Sequence, residues 1–65
     1  MNKIKIQFAG INSNGNPCYK TEKGSFIAKI GEDFYSLNQA PDYGLIGIEG
    51  EPDAKLKKEY LEIYY

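Results

Sequence analysis

The run Lys3-Ile4-Lys5-Ile6-Gln7-Phe8 alternates polar and apolar side chains with a period of two, placing Ile4, Ile6 and Phe8 on one face and Lys3, Lys5 and Gln7 on the other. That pattern is a strand buried on one side. Immediately downstream, Asn12-Ser13-Asn14-Gly15-Asn16-Pro17 gathers residues that tolerate left-handed backbone or form local side-chain turns, and Asn14-Gly15 suits a tight reversal. The first strand therefore enters a hairpin. Cys18 to Thr21 reads as the returning strand, Glu22-Lys23-Gly24 as a turn with Gly24 at its left-handed position, and Ser25 to Ile30 as a third strand carrying Phe26, Ala28 and Ile30 on one face. Gly31-Glu32-Asp33 then turns the chain into Phe34-Tyr35-Ser36-Leu37, continuing a meander of local antiparallel pairs.

Beyond Asn38 the pattern loosens, because Pro41, Gly44, Gly47, Gly50 and Pro52 interrupt every apolar run. Leu45, Ile46 and Ile48 are candidates for a short strand inside a packed loop or bulged edge. The tail from Ala54 to Tyr65 supports two readings. As a helix capped by Asp53 it aligns Leu56, Tyr60, Ile63 and Tyr64 in one apolar stripe, although its lysines precede its glutamates, against the preference of the helix dipole. As a strand it alternates Leu61, Ile63 and Tyr65 with Tyr60, Glu62 and Tyr64 after an irregular lysine-rich stretch. The expected fold is mainly β: one small domain over residues 1–65, an antiparallel meander or sheet of about four or five strands. A terminal helix would make it α+β.

A chain of 65 residues is too short for two cores. A single core of this size supplies only about 3 to 5 kcal/mol, and a buried ligand pocket would compete with it for the same apolar side chains. Function on the surface is the expectation. Eight lysines stand against nine acids, for a net charge of -1, so no field of one sign steers a polyanion to the protein. All the cations are Lys, and the planar fork with which Arg reads phosphates and guanine edges is missing.

No His is present, which removes imidazole acid–base chemistry, Ser-His and Cys-His nucleophile pairs and His-ligated metal. The expectation is a protein without catalysis, cofactor or metal. Cys18 is the lone cysteine, so no internal disulfide can form; a reducing cytoplasm is the expected compartment. Lys20 on the same strand face offers an ammonium that would lower the thiol pKa, but a free Cys between a proline and a tyrosine in a strand is ordinarily a small buried hydrophobe. Glu49, Glu51 and Asp53 offer three carboxylates to a hard cation, without the twelve-position spacing of a calcium loop, and read as a solvated acidic turn. No apolar run has the length of a signal peptide or membrane span, so no membrane association is expected.

Aromatic content is the compositional feature that rises above the ordinary: six Tyr and three Phe. Tyrosine buries large area at low entropy cost and keeps a polar tip, which suits half-wet sheet faces and protein interfaces. The candidate interaction residues are Tyr19, Lys20, Lys29, Tyr35, Tyr60 and Tyr64, serving a protein partner through a tyrosine-bearing face or an exposed sheet edge. Self-association through that edge is included. The alternative is a small nucleic-acid-binding or regulatory protein that stacks bases on Tyr19 and Tyr35 beside Lys20 and Lys29.

Two motifs, Asn16-Pro17-Cys18-Tyr19-Lys20 with Gly24 shortly after, and the later Gly50-Glu51-Pro52-Asp53, resemble a group of small proteins encoded on conjugative transposons and related mobile elements of clostridial and other gut Firmicutes. Members of that group often carry Val at the position of Cys18, and often continue past the Asp into another proline where this chain has Ala54-Lys55. The resemblance implies a mobile-element setting and a host cytoplasm. It implies no activity and no site residue.

Overall fold

The computed structural model describes residues 3–64; Tyr65, assigned above to one face of the terminal strand, lies outside the described residues. Six strands form: β1 (Ile4–Ile11), β2 (Pro17–Thr21), β3 (Phe26–Ile30), β4 (Asp33–Asn38), β5 (Glu51–Leu56) and β6 (Leu61–Tyr64). They make one sheet in the order β5-β4-β3-β2-β1-β6. Strands β1 to β4 follow one another antiparallel, as the meander reading expects, with Gly24 in left-handed backbone at φ +89°, and β5 adds antiparallel to β4 beyond that reading. The last strand departs from expectation: β6 pairs parallel with β1, Ile4 opposite Leu61 and Ile6 opposite Ile63, so the sheet is mixed and six-stranded rather than antiparallel with four or five.

Connectivity forces this sheet to curl. Six flat strands would hold β5 and β6 about 24 Å apart, five spacings of roughly 4.8 Å. The five Cα steps from Leu56 to Leu61 reach at most about 18 Å, and the 3₁₀ turn Lys58–Tyr60 within them advances only about 2 Å per residue. The edges must therefore swing toward each other. Curling also explains how the parallel pair arises: the long connection that parallel strands need is made by β2 to β5 themselves, and β6 reaches β1 from the far edge of the sheet.

The inner, concave face gathers Ile6 from β1, Ile27 from β3, Phe34 from β4 and Leu61 from β6 into one buried cluster, with Tyr19 and Leu56 against it. Residues from both edges meet there. The outer face carries a second cluster of Cys18, Ala28 and Leu37, flanked by Phe26, Ile30 and Ile48. Phe26, Ala28 and Ile30 thus share a face, as the alternation predicts.

The outer cluster is covered by the segment between β4 and β5, residues 39–50. Leu45, Ile46 and Ile48 do not form the strand anticipated for them: Gly47 has φ +61°, and Gly47–Glu49 is a 3₁₀ turn that points Ile48 down onto the cluster. The side-chain amide of Gln39 clamps Gly47, its Nε2 donating to the Gly47 carbonyl at 3.1 Å and its Oε1 accepting from the Gly47 N–H. Gly50 lets the segment pass close to β4, since a Cβ there would lie 2.8 Å from the Asn38 carbonyl oxygen. The following residues, read from sequence as an acidic turn leading into a lysine-rich irregular stretch, instead form β5, whose edge position tolerates Pro52.

Candidate interaction surface

Strand register assigns each candidate residue to a face. Tyr19 and Lys29 lie on the inner face, in register with Ile27 and Phe34 respectively. Tyr19 is half-buried between two rings, edge-on to Phe8 at 5.9 Å and tilted against Phe34 at 5.9 Å. Lys20 and Tyr35 lie on the outer face, Lys20 opposite Phe26 and Tyr35 opposite Ala28. Tyr64 is also on the outer side, at the end of β6, and Tyr60 belongs to the 3₁₀ turn before it. The group anticipated as one surface is divided: Tyr19 with Lys29 on one side of the sheet, Lys20, Tyr35 and Tyr64 on the other.

Several lysines already have aromatic partners within the chain. The Nζ of Lys5 lies 5.1 Å from the Tyr64 ring centre, that of Lys20 5.7 Å from Phe26, that of Lys29 6.0 Å from Phe34, and that of Lys57 5.9 Å from Tyr60. The Tyr64 phenol, through a hydrogen bond and its charge, holds Lys5 above the ordinary lysine range; desolvation opposes this, and Glu22 and Glu62 add to it to a lesser degree. Cys18 is fully buried, and burial pushes its thiol above the ordinary range; it donates to the Asn16 carbonyl at 3.4 Å. A thiol so placed is a packing residue. Glu49 is turned back onto the β1–β2 loop, where its carboxylate accepts from the Ser13 N–H at 2.9 Å and the Ser13 hydroxyl at 2.6 Å. Among the described residues no three His, Cys, Asp or Glu side chains converge on a common point.

Sequence reasoning passed over the apolar residues that the curl leaves uncovered. Ile4 (47% exposed), Phe8 (49%) and Ile63 (36%) share the inner face of β1 and β6, and Ile11 (62%) continues it beyond the bulge after Phe8. Alternation identified Ile4, Phe8 and Ile63 as facing the core side, but not that the core ends before it covers them. Tyr43 and Ile46 project from the 39–50 segment as a second, separate pair.

The two sheet edges differ in chemistry. Strand β5 presents Glu51, Pro52, Asp53 and Lys55, the charges and missing donor that discourage another strand from adding. Strand β6 presents Leu61-Glu62-Ile63-Tyr64, with one charge, and beyond it β1 runs on from Phe8 to Ile11 with β2 as its ladder partner. The fold and this surface define a class: a small, strongly curled β-sheet with one charged, proline-bearing edge, one edge with a single charge and an exposed apolar strip beside the latter. Comparison with protein-family models, curated proteins and solved structures returned no match. No helix among the described residues is long and apolar enough to cross a membrane.

Proposed function

We propose that this chain is a non-enzymatic protein-binding module that takes up an extended segment of its partner as an added strand beside β6. The observation that carries this is the asymmetry of the edges: β5 bears three charges and a proline, β6 bears Leu61, Ile63 and Tyr64 around a single acid. Strand addition draws affinity from main-chain hydrogen bonds and specificity from alternate side chains. Here alternate side chains of the incoming strand meet Ile63 and Phe8 on the inner face, Glu62 and Tyr64 on the outer. The resemblance to mobile-element proteins supports a setting for such a module, a mobile element in a host cytoplasm, and bears on no activity. Nucleic-acid binding is the weaker reading, because the lysines and tyrosines it needs are split between opposite faces.

A photo-crosslinking residue at Glu62, compared with one at Asp53, tests the assignment in the native host. The expected result is a discrete crosslinked protein from position 62, none from 53, and loss of the product in Ile63→Lys with cooperative melting retained. Equal products from both edges, or none from β6, would sink the reading.

A further inference from the structure

Asn12, Asn14 and Asn16 share the β1–β2 loop, and the structure sets them in unequal chemical situations. An asparagine side chain is lost spontaneously when the backbone nitrogen of the next residue closes on its amide carbon, so reactivity depends on the freedom of both groups. Asn12 is 8% exposed, and its Oδ1 accepts the Asn14 and Asn16 N–H groups at 3.1 and 3.0 Å. The nitrogen that would attack it belongs to Ser13, whose N–H is held by both Glu49 carboxylate oxygens. Asn16 precedes Pro17, which has no N–H to give up. Asn38 precedes Gln39, whose bulky side chain is clamped on Gly47. Asn14 differs on each count. Its side chain is exposed and makes no hydrogen bond among the described residues. Gly15 brings the attacking nitrogen with no side chain in the way, and open space lies where a Cβ would stand. One backbone hydrogen bond, from the Gly15 N–H to the Asn12 carbonyl at 2.9 Å, withholds that nitrogen. At an exposed loop tip such a bond opens at little cost.

We propose that Asn14 is a site of spontaneous chemical modification whose product loosens the clasp between this loop and the 39–50 segment. In the opened turn the Gly15 nitrogen gives its proton to solvent and bonds to Asn14 Cγ; the Cγ–Nδ2 bond breaks and ammonia leaves. Water then opens the cyclic imide at either carbonyl, giving aspartate or, where the main chain is rerouted through the side chain, isoaspartate. Solvent supplies every co-reactant. Either product places a carboxylate one residue from Ser13, on which the Glu49 carboxylate is seated at 2.9 Å, and like charges at that separation repel. Isoaspartate also lengthens the main chain between residue 14 and Gly15, so the bond from the Gly15 N–H to Asn12 no longer closes. Glu49 ties the 39–50 segment to this loop, and the Cys18 thiol lies between the two, 3.4 Å from the Asn16 carbonyl and 3.7 Å from that of Ile48. Cys18 therefore reports the change. The site is independent of strand addition at β6.

The full chain is held in mildly alkaline buffer, folded or in denaturant, and each asparagine is followed by peptide mass spectrometry with chromatography that separates aspartyl from isoaspartyl forms. In the folded chain Asn14 should convert while Asn12, Asn16 and Asn38 do not, and Glu49→Ala, which frees the Ser13 nitrogen, should bring Asn12 into reaction. The converted chain, separated by ion exchange on its added charge, should react with a disulfide reagent at Cys18 about fivefold faster than the fresh chain, the factor that corresponds to losing the clasp. Asn14→Gln, whose longer side chain closes a larger ring far more slowly, should keep the fresh chain's labelling rate through the same treatment. Conversion of Asn14 only in denaturant, conversion of Asn12 as fast as Asn14 in the folded parent, or a converted chain whose Cys18 labels no faster than the fresh one would overturn the assignment.

Discussion

Leu61→Ala separates the two readings of the tail. The helical reading buries Leu56, Tyr60, Ile63 and Tyr64 and leaves Leu61 off the stripe, whereas in the structure Leu61 is 8% exposed among Ile6, Ile27 and Phe34, and Ile63 is 36% exposed. Removing three carbons from Leu61 costs about 2.4 kcal/mol in transfer free energy alone, and the cavity left between β1 and β6 raises this into the range of about 2.7 to 5 kcal/mol. A domain of this size has only about 3 to 5 kcal/mol in total. At roughly 4 to 8 °C per kcal/mol, the melting midpoint falls by at least about 10 °C, and the variant stands at the margin of folding at room temperature. Ile63→Ala, half as enclosed, falls by less, and Glu62→Ala stays within about 0.5 kcal/mol of the parent. Thermal melts followed by circular dichroism give the ranking directly. A Leu61→Ala midpoint within about 4 °C of the parent, or a larger loss for Ile63→Ala than for Leu61→Ala, would refute the docking of β6 and with it the curl.

Gly50→Ala forces a methyl to within 2.8 Å of the Asn38 carbonyl oxygen, displaces the 39–50 segment and costs about 1 to 3 kcal/mol; faster amide exchange across that segment, with β1 to β3 still protected, is the expected readout. Glu49→Ala removes the acceptor of the Ser13 N–H and hydroxyl, a partly wet charged interaction worth about 1 kcal/mol, and should speed exchange of the Ser13 amide while leaving the melting of the sheet cooperative. Cys18 keeps its proton in the folded state beyond the ordinary thiol range, whereas the unfolded chain releases it. Its share of stability is therefore fully present below the unfolded-state pKa of about 8.5 and declines as pH rises above it; Cys18→Ala should show a flatter melting profile over that window, and a disulfide reagent should label the parent only as fast as it unfolds.

Strands β1 to β4 were legible because each has a hydrophobic alternation of its own and a short connection to the next, so that sequence neighbours are spatial neighbours. Strand β5 was not, since Glu51-Pro52-Asp53 has no apolar alternation: its pairing comes from β4 beside it, and only Leu56 reaches the inner core. The parallel pairing of β6 was beyond local reading. Leu61-Glu62-Ile63-Tyr64 alternates whether it pairs with β1, with β5 or with neither, and the choice depends on the distance a four-residue link must span. For Leu45, Ile46 and Ile48 the apolar count suggested a strand, but the backbone sign at Gly47 decided otherwise. At the candidate surface the tyrosines were visible and their division between faces followed from register. The uncovered strip was hidden because alternation tells which side a residue faces and is silent on where the facing element stops.

That stopping point links the fold to its proposed use. A flat sheet needs a second layer to cover its apolar face; among the described residues the outer face is covered by residues 39–50 and the inner face by curling. Curling fills the middle, where Ile6, Ile27, Phe34 and Leu61 meet, and leaves both ends of the inner face short of cover, Phe8 and Ile11 toward one and Ile4 toward the other. Folding alone is served equally well by polar groups at those ends, since each exposed apolar side chain adds little to the core and raises the risk of association. Edge β5 shows that the sequence has the means to suppress such association, through Pro52 and alternating charge. Those means are absent at β6, beside which the uncovered residues lie. Under the strand-addition proposal, the strand added at that edge covers apolar side chains that the described residues leave exposed.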